Sequence, residues 1–188
     1  MTVKTDYSRF DIHDELTAPG GSERLLKSIS SAGGSVSKLV GVLAGSPASL
    51  KAFARLRSEL HSGSLPTTTA IRIGLAISER RGDRYSLAQN ARSARLSGFG
   101  LDEISLNRSF ASNDPKEAAL LAFVKGSLDS EGHPPVYLLE EAREVDWTDE
   151  QLIEALGEAA LCEFQSLVAN AAGLPEDQID SGLLPSAA

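Results

Sequence analysis

The chain of 188 residues is poor in cysteine, in aromatic residues and in long apolar runs. Its one cysteine, Cys162, cannot form a disulfide within the chain, which suggests a reducing compartment. Residues 1–14 are polar and charged and lack the apolar core of a signal peptide. The longest apolar stretches, near 39–43 and 71–77, are too short to span a bilayer. We therefore expect a cytoplasmic protein without a membrane partner.

Positive charge is also scarce, because 18 Lys and Arg residues stand against 26 Asp and Glu residues and leave a net charge of −8. A general nucleic-acid binder would show a basic surface, and an anionic membrane would not attract this chain, so neither partner is expected. The segment 72–95 departs from this balance with a net charge of +4. Its basic residues are Arg72, Arg80, Arg81, Arg84, Arg92 and Arg95.

Alternating apolar and polar runs of strand length are scarce as well, and aromatic residues make up only 5% of the chain. Alanine and leucine instead recur at helical spacing, between breaks made by Gly, Pro and Ser. This pattern predicts an all-α protein. Helices are expected over 22–31, 35–44, 47–61, 66–81, 84–97, 118–128, 136–143 and 148–172, with a further short helix from Leu101.

Three units are predicted along the chain: an arm over 1–21, a helical domain over 22–173 and a tail over 174–188. The arm shows no period and ends in Pro19-Gly20-Gly21, and the tail carries two prolines. Ser22 is expected to cap the first helix. Capping-box spacing joins Asp114 to Glu117 and Thr148 to Gln151, which predicts helix starts at both places.

Two helices carry predictions about burial. The helix from Pro66 is apolar in nearly every direction over 70–77, which is typical of a buried central helix. The last helix is the longest, and we expect one apolar stripe along it to face the core. That stripe consists of Leu152, Leu156, Ala160, Phe164, Leu167 and Ala171.

The segment 71–98 resembles the central motif of the alkylhydroperoxidase D-like superfamily, which includes the carboxymuconolactone decarboxylases. That motif has a Glu opening a helix that ends Leu-Ala-x-Ser, then Gly-Cys-x-Tyr-Cys, three residues, His, and a helix ending in Gly. Here Leu75-Ala76-Ile77-Ser78 matches the helix end, and Gly82, Tyr85 and Gly98 match the turn, the internal Tyr and the closing Gly. The flanks 114–123 and 147–155 agree too, so the resemblance covers about residues 25–173. It implies an all-α, alkylhydroperoxidase D-like helical bundle.

The reactive positions of this motif are all replaced. The family's two cysteines fall on Asp83 and Ser86, its His on Asn90 and its Glu on Ile71. Peroxide reduction in the family needs a thiolate and a second thiol to resolve it, which a carboxylate and a hydroxyl cannot supply. Asn does not exchange a proton near neutral pH as His does. Neither dithiol peroxidase chemistry nor the His-dependent decarboxylase chemistry of the family is therefore expected, and no catalytic residue is assigned.

Several polar groups keep two interpretations. Asp83 and Ser86 either form a polar pocket or cap the helix that follows the turn. Arg84, Tyr85 and Arg92 are candidates for binding a small anion, while the alternative for the arginines is ion pairing within or between subunits.

Cys162 is expected to be a buried, inert thiol, the alternative being a one-cysteine peroxidase. Three isolated histidines, His13, His61 and His133, indicate no metal site, and no cofactor is expected.

Two functions therefore stand at this point. The resemblance implies a peroxidase or decarboxylase in antioxidant or aromatic-acid metabolism. The residues favour a non-catalytic relative that binds a small molecule or a protein partner in the altered site. The resemblance also implies a homo-oligomer, as a dimer, trimer or hexamer.

Overall fold

The computed structural model describes residues 8–31, 36–130 and 133–175. Within these ranges the chain forms nine helices and no strand, which confirms the all-α prediction. The helices are α1 (Gly20–Ser31), α2 (Lys38–Leu43), α3 (Pro47–His61), α4 (Thr67–Arg80), α5 (Arg84–Leu96), α6 (Leu101–Asn107), α7 (Pro115–Asp129), α8 (Val136–Glu144) and α9 (Asp149–Ala172).

Helix α4 lies at the centre of the bundle, as its apolar circumference predicts. Ile73, Leu75, Ala76 and Ile77 are fully buried. The helix packs against α5, α6, α7 and α9. Because every face of α4 meets another helix, its side chains can be apolar all round without exposing a surface that water disfavours.

Three groups of buried apolar residues make up the core. The first group joins α4 to α7 and α9 and contains Ile73, Ile77 and Trp147. The second joins α1, α2 and α3 to α9 and contains Tyr85 of α5. The third is small and joins Leu75 of α4 to Ala94 of α5 and to α6. Helices α4 and α5 thus connect all three groups.

The predicted helix starts at Thr148 and Pro47 are confirmed in detail. Thr148 and Gln151 form the reciprocal capping box, with both side chain to backbone bonds present. Pro47 occupies the first turn of α3, and the Ser46 side chain accepts a bond from Ser49 N. At the α7 start, Asp114 is the cap, but Glu117 does not complete the box and points into the protein instead.

Two predicted helix starts near the N-terminus are wrong. Helix α1 begins at Gly20, and Ser22 is not its cap. Ser22 is instead fully buried and donates its hydroxyl to Ala44 O at 2.7 Å, tying α1 to the end of α2. Helix α2 begins at Lys38, where Ser37 accepts from Val40 N, and not at Ser35. The predicted break between these two helices falls on residues 32–35, which lie outside the described residues.

The predicted inner stripe of α9 is also wrong, because most of it faces outward. Leu152 is buried, but Leu156 and Phe164 are each 38% exposed and Leu167 is 68% exposed. The face that packs on the core is rich in small residues, namely Ala155, Ala159, Cys162, Ser166, Ala169 and Ala172. Small side chains let α9 approach α4 closely, so the buried face is less hydrophobic in sequence than the exposed one.

The described part of the arm lies along α2 and the end of α9. Arg9 N donates to Ala172 O at 2.7 Å and His13 N donates to Gly41 O at 3.0 Å. The predicted tail lies outside the described residues beyond position 175. No helix in the described ranges is both long and apolar enough to cross a membrane.

Candidate functional site

The turn between α4 and α5 carries Asp83 and Ser86, the two positions on which the sequence resemblance places the family's cysteines. Gly82 adopts a left-handed backbone with φ of 61°, and Asp83 N donates to Ser78 O at 2.9 Å, which closes α4. Asp83 then caps α5, since its Oδ1 accepts from Ser86 N at 3.0 Å. The capping interpretation is thus confirmed for Asp83.

Both positions are buried as well as hydrogen-bonded to the helix start. Asp83 is 1% exposed and Ser86 is 8% exposed. The Asp83 carboxylate has one oxygen in the cap, and its Oδ2 has no hydrogen-bond partner among the described residues. The pair therefore forms the structural start of a helix, and neither side chain is presented to solvent.

Asn90, on which the resemblance places the family's His, is also held by a hydrogen bond. Asn90 donates its Nδ2 to Ser78 Oγ at 3.1 Å, across the α4–α5 contact. Its amide also fills the space beside Gly74, where a β-carbon would come within 2.9 Å of Nδ2. Ile71, on which the resemblance places the family's Glu, packs with Leu87 and Ala91 against the third core group. The side chains of Asn90 and Ile71 are therefore both part of helix contacts.

Two open cavities of about 500 and 510 Å³ lie elsewhere. The first is lined by the arm, the α2–α3 connection and the end of α9, including Phe10, His13 and Leu167. The second lies beside α1, next to Arg24 and Lys51. None of the four family positions lines either cavity.

The three anion-binding candidates are not brought together. Tyr85 is 2% exposed and packs into the second core group, where its Oη accepts from Leu39 N at 3.4 Å. Arg84 and Arg92 are exposed on α5. Tyr85 thus belongs to the core, and only the two arginines can reach a ligand from solvent.

Arginines of the basic segment form ion pairs within the chain. Arg80 pairs with Asp129 and Arg81 with Glu163, while Arg72 Nε lies 3.2 Å from Glu103 Oε1. Asn170 reinforces the second pair by donating to Arg81 O at 2.9 Å. The Arg80 and Arg81 pairs bind the α4–α5 corner to α7 and α9, and the Arg72 pair joins α4 to α6.

A buried charged group that sequence reasoning missed surrounds Arg72. Its guanidinium lies between Glu103 and Glu117 and stacks over the Phe99 ring, with 4.3 Å from Cζ to the ring centroid. Burial opposes ionisation of Glu103, but hydrogen bonds from Ser112, Asn113, Asn107 and Arg72 outweigh it and lower its pKa to about 2. No local signal in the sequence indicated this network, because a Glu at the position of Glu117 is also what a capping box requires.

Glu117 differs from Glu103 although both face Arg72. Burial raises the pKa of Glu117, and the Arg72 charge and the bond from Thr69 Oγ1 at 2.9 Å only partly offset it. Its Oε2 lacks a partner among the described residues. Their environments shift the pKa values of the two carboxyls in opposite directions. Both carboxyls help to hold α4, α6 and α7 together, and neither lines a described cavity.

Cys162 lies on the inner face of α9 and is 4% exposed. Burial raises the pKa of its thiol well above the usual value, and the nearby Glu158 carboxylate, 3.7 Å from Sγ, adds to the rise. Its environment thus disfavours the thiolate.

Among the described residues no group of three or more His, Cys, Asp or Glu is arranged to hold a metal.

Two solved structures of similar fold cover more than nine tenths of the chain at low sequence identity. An uncharacterised peroxidase-related protein from Ralstonia eutropha JMP134, with an alkylhydroperoxidase AhpD core, is 22% identical over 92% of this chain and 93% of its own, with a TM-score of 0.76. A peroxidase-related protein from Silicibacter sp. TM1040 is 18% identical over 95% and 96%, also with a TM-score of 0.76.

A debrominase, Bmp8, matches less of the chain. It is 19% identical over 75% of this chain and 77% of its own, with a TM-score of 0.64, and one of its structures holds 2,3,4-tribromopyrrole. The sequence matches no family model, and no curated protein is similar to it at a significant level. The chain therefore has the fold of the alkylhydroperoxidase D-like proteins.

Proposed function

We propose that this protein works by binding and not by dithiol redox chemistry, as a non-catalytic relative of antioxidant-type alkylhydroperoxidase D-like proteins. The cap formed by Asp83 and Ser86 N carries the proposal. At the two places where the family needs thiols, this chain has a helix-capping carboxylate and a buried hydroxyl. The pair cannot exchange electrons with a peroxide, because neither group forms a disulfide.

The remaining thiol does not replace the missing pair. Cys162 is buried on α9, and its thiolate is disfavoured both by burial and by the adjacent Glu158. Peroxide attack requires a thiolate that the peroxide can reach. Asn90, held by Ser78 and packed beside Gly74, offers no titrating group to relay a proton.

A binding role would use groups that the fold leaves exposed to solvent. The partners we propose are a second copy of the chain and, in a smaller role, a small anion at the exposed Arg84 and Arg92 of α5. The absence of a membrane-spanning helix in the described ranges and the single cysteine fit a cytoplasmic setting for such a protein.

Peroxide consumption with a dithiol reductant tests the proposal. We expect the wild-type protein to consume hydrogen peroxide and an organic hydroperoxide no faster than buffer with reductant, and Cys162→Ser to behave identically. Turnover that survives Cys162→Ser but disappears in Asp83→Ala would overturn the proposal, since it would show a non-thiol mechanism at the turn. Turnover lost in Cys162→Ser would overturn it in favour of a one-cysteine peroxidase.

A second candidate function, anion binding, is separable from the first. Isothermal titration with phosphate and with benzoate would show saturable heat that disappears in an Arg84→Ala/Arg92→Ala variant. The matched control is Arg55→Ala, an exposed arginine of α3. Binding that persists in the double variant would exclude α5 as the site.

A further inference from the structure

The outer face of α9 is apolar although it faces solvent in the single chain. Ile153 is 69% exposed and Leu167 is 68% exposed, and Leu156 and Phe164 between them are each 38% exposed. Ala160 is exposed as well. We call these five residues the outer stripe. A contiguous exposed apolar surface on a folded protein commonly marks an interaction site.

The outer stripe has an internal symmetry. Ile153 and Leu156 lie seven and four residues before Ala160, and Phe164 and Leu167 lie four and seven residues after it. Large side chains therefore flank a small central one at equal distances in both directions. A two-fold axis through Ala160 would bring Leu156 onto Phe164 of the partner subunit and Ile153 onto Leu167 of the partner subunit, with each contact made twice.

One pair of charges beside the stripe is complementary under the same axis. Glu150 is exposed in the first turn of α9, and the exposed Arg9 lies beside Gly173, just past the end of the helix. Antiparallel pairing brings Glu150 of one copy towards Arg9 of the partner subunit. Asp149, next to Glu150, is already paired with Arg143 of its own chain.

The first cavity extends the same surface. It has a volume of about 500 Å³ and adjoins the end of the stripe, where Leu167, Phe10 and Ala171 line it. Antiparallel pairing brings the start of the partner's α9 to this place, so the cavity can receive Ile153 of the partner subunit. The first cavity and the outer stripe then form one continuous contact surface.

We infer that two copies of this chain pair through the outer stripe, with their α9 helices antiparallel and the two-fold axis passing near Ala160. This inference rests on the self-association part of the proposed function and specifies its surface. Each copy carries a net charge of −8. Because the stripe is uncharged and the copies repel each other at long range, pairing strengthens as salt is raised from low concentration.

Sedimentation equilibrium of the full chain tests the surface. We expect a dimer for the wild type and a rise in the dimer dissociation constant of more than roughly 100-fold for Ala160→Glu, because two carboxylates would meet at the axis. The matched control is Leu96→Glu, which changes a leucine that is 80% exposed on α5, outside the stripe, and it keeps the dimer. Circular dichroism shows whether both variants retain native helix content. A monomeric wild type, or a folded Ala160→Glu variant that pairs normally, would overturn the inference.

Cysteine cross-linking fixes the axis independently in a Cys162→Ser background. Ala160→Cys should oxidise to a covalent dimer, because the two residues face each other at the axis. Ile153→Cys should not cross-link to itself, since its two copies lie about 21 Å apart along the helices. A mixture of Ile153→Cys and Leu167→Cys should cross-link. Self-cross-linking of Ile153→Cys, or a dimer that cross-links at neither place, would reject this surface while leaving the peroxide result intact.

Discussion

The side-chain amide of Asn90 lies against the backbone of Gly74, where a β-carbon would approach its Nδ2 to 2.9 Å. Asn90 is held there by its bond to Ser78 Oγ at 3.1 Å. The glycine is therefore required by the close approach of α5 to α4. The side chain of Asn90 is thus part of the contact between the two helices.

Substitution of Gly74 by Ala tests this contact. In the wild-type background we expect Gly74→Ala to lower the free energy of unfolding by about 1 kcal/mol, because Asn90 must move and lose its bond to Ser78. In an Asn90→Ala background the same change should stabilise by up to about 1 kcal/mol, since Ala is a better helix former than Gly. Urea denaturation measures both. The same sign in both backgrounds would contradict the contact.

Removal of the cap at Asp83 should destabilise the α4–α5 corner. Asp83→Ala removes the acceptor for Ser86 N and is expected to cost about 1 kcal/mol in the free energy of unfolding. Asp83→Asn keeps an oxygen in the same place and should lie closer to the wild type. Thermal unfolding of both variants at neutral pH checks the prediction. Equal stability of Asp83→Ala and the wild type would show that the cap contributes nothing.

The carboxylate of Glu103 should make stability depend on pH in acid. Its folded pKa is about 2, below the ordinary value of 4.5, so its contribution is present above pH 4.5 and is lost as pH falls towards 2. The contribution amounts to at most about 3 kcal/mol. Denaturant titrations between pH 2 and 7 should show a shallower loss for Glu103→Gln than for the wild type. Identical slopes would show that Glu103 is not held ionised.

Cys162 should be unreactive in the native protein. Burial and Glu158 both raise the pKa of its thiol, so an aromatic disulfide reagent at neutral pH should label it only in denaturant. Following thiol release with time, with and without urea, measures this. Rapid and complete labelling of the folded protein would show that α9 opens easily or that the thiol is accessible.

Local signals in the sequence were enough for most helices. Caps, prolines and glycines act within a few residues of the chain. They predicted the capping box at Thr148, the start of α3 at Pro47 and the turn at Gly82. The burial of α4 also follows, because its apolar residues leave no polar face. The capping role of Asp83 was one of two interpretations, and the geometry of the turn decides between them.

Features that depend on partners far along the chain were not predictable. On α9, larger apolar residues indicated the inner face, but the core side uses Ala155 and Ala159 because α4 comes close. The Arg72 network joins residues from α4, α6 and α7, and nothing local in the sequence links them. Ser22 looked like a cap but became buried once α1 met the end of α2.

The position of the α4–α5 corner has a consequence for motion. On one side of Asp83, α4 contributes to the first and third core groups, and on the other, Tyr85 anchors α5 in the second. The corner cannot swing out without detaching a side chain from each group. Its buried, hydrogen-bonded amide protons, those of Asp83 and Ser86, should therefore exchange with solvent only when the whole bundle unfolds. The corner would then be among the slowest parts of the molecule to open.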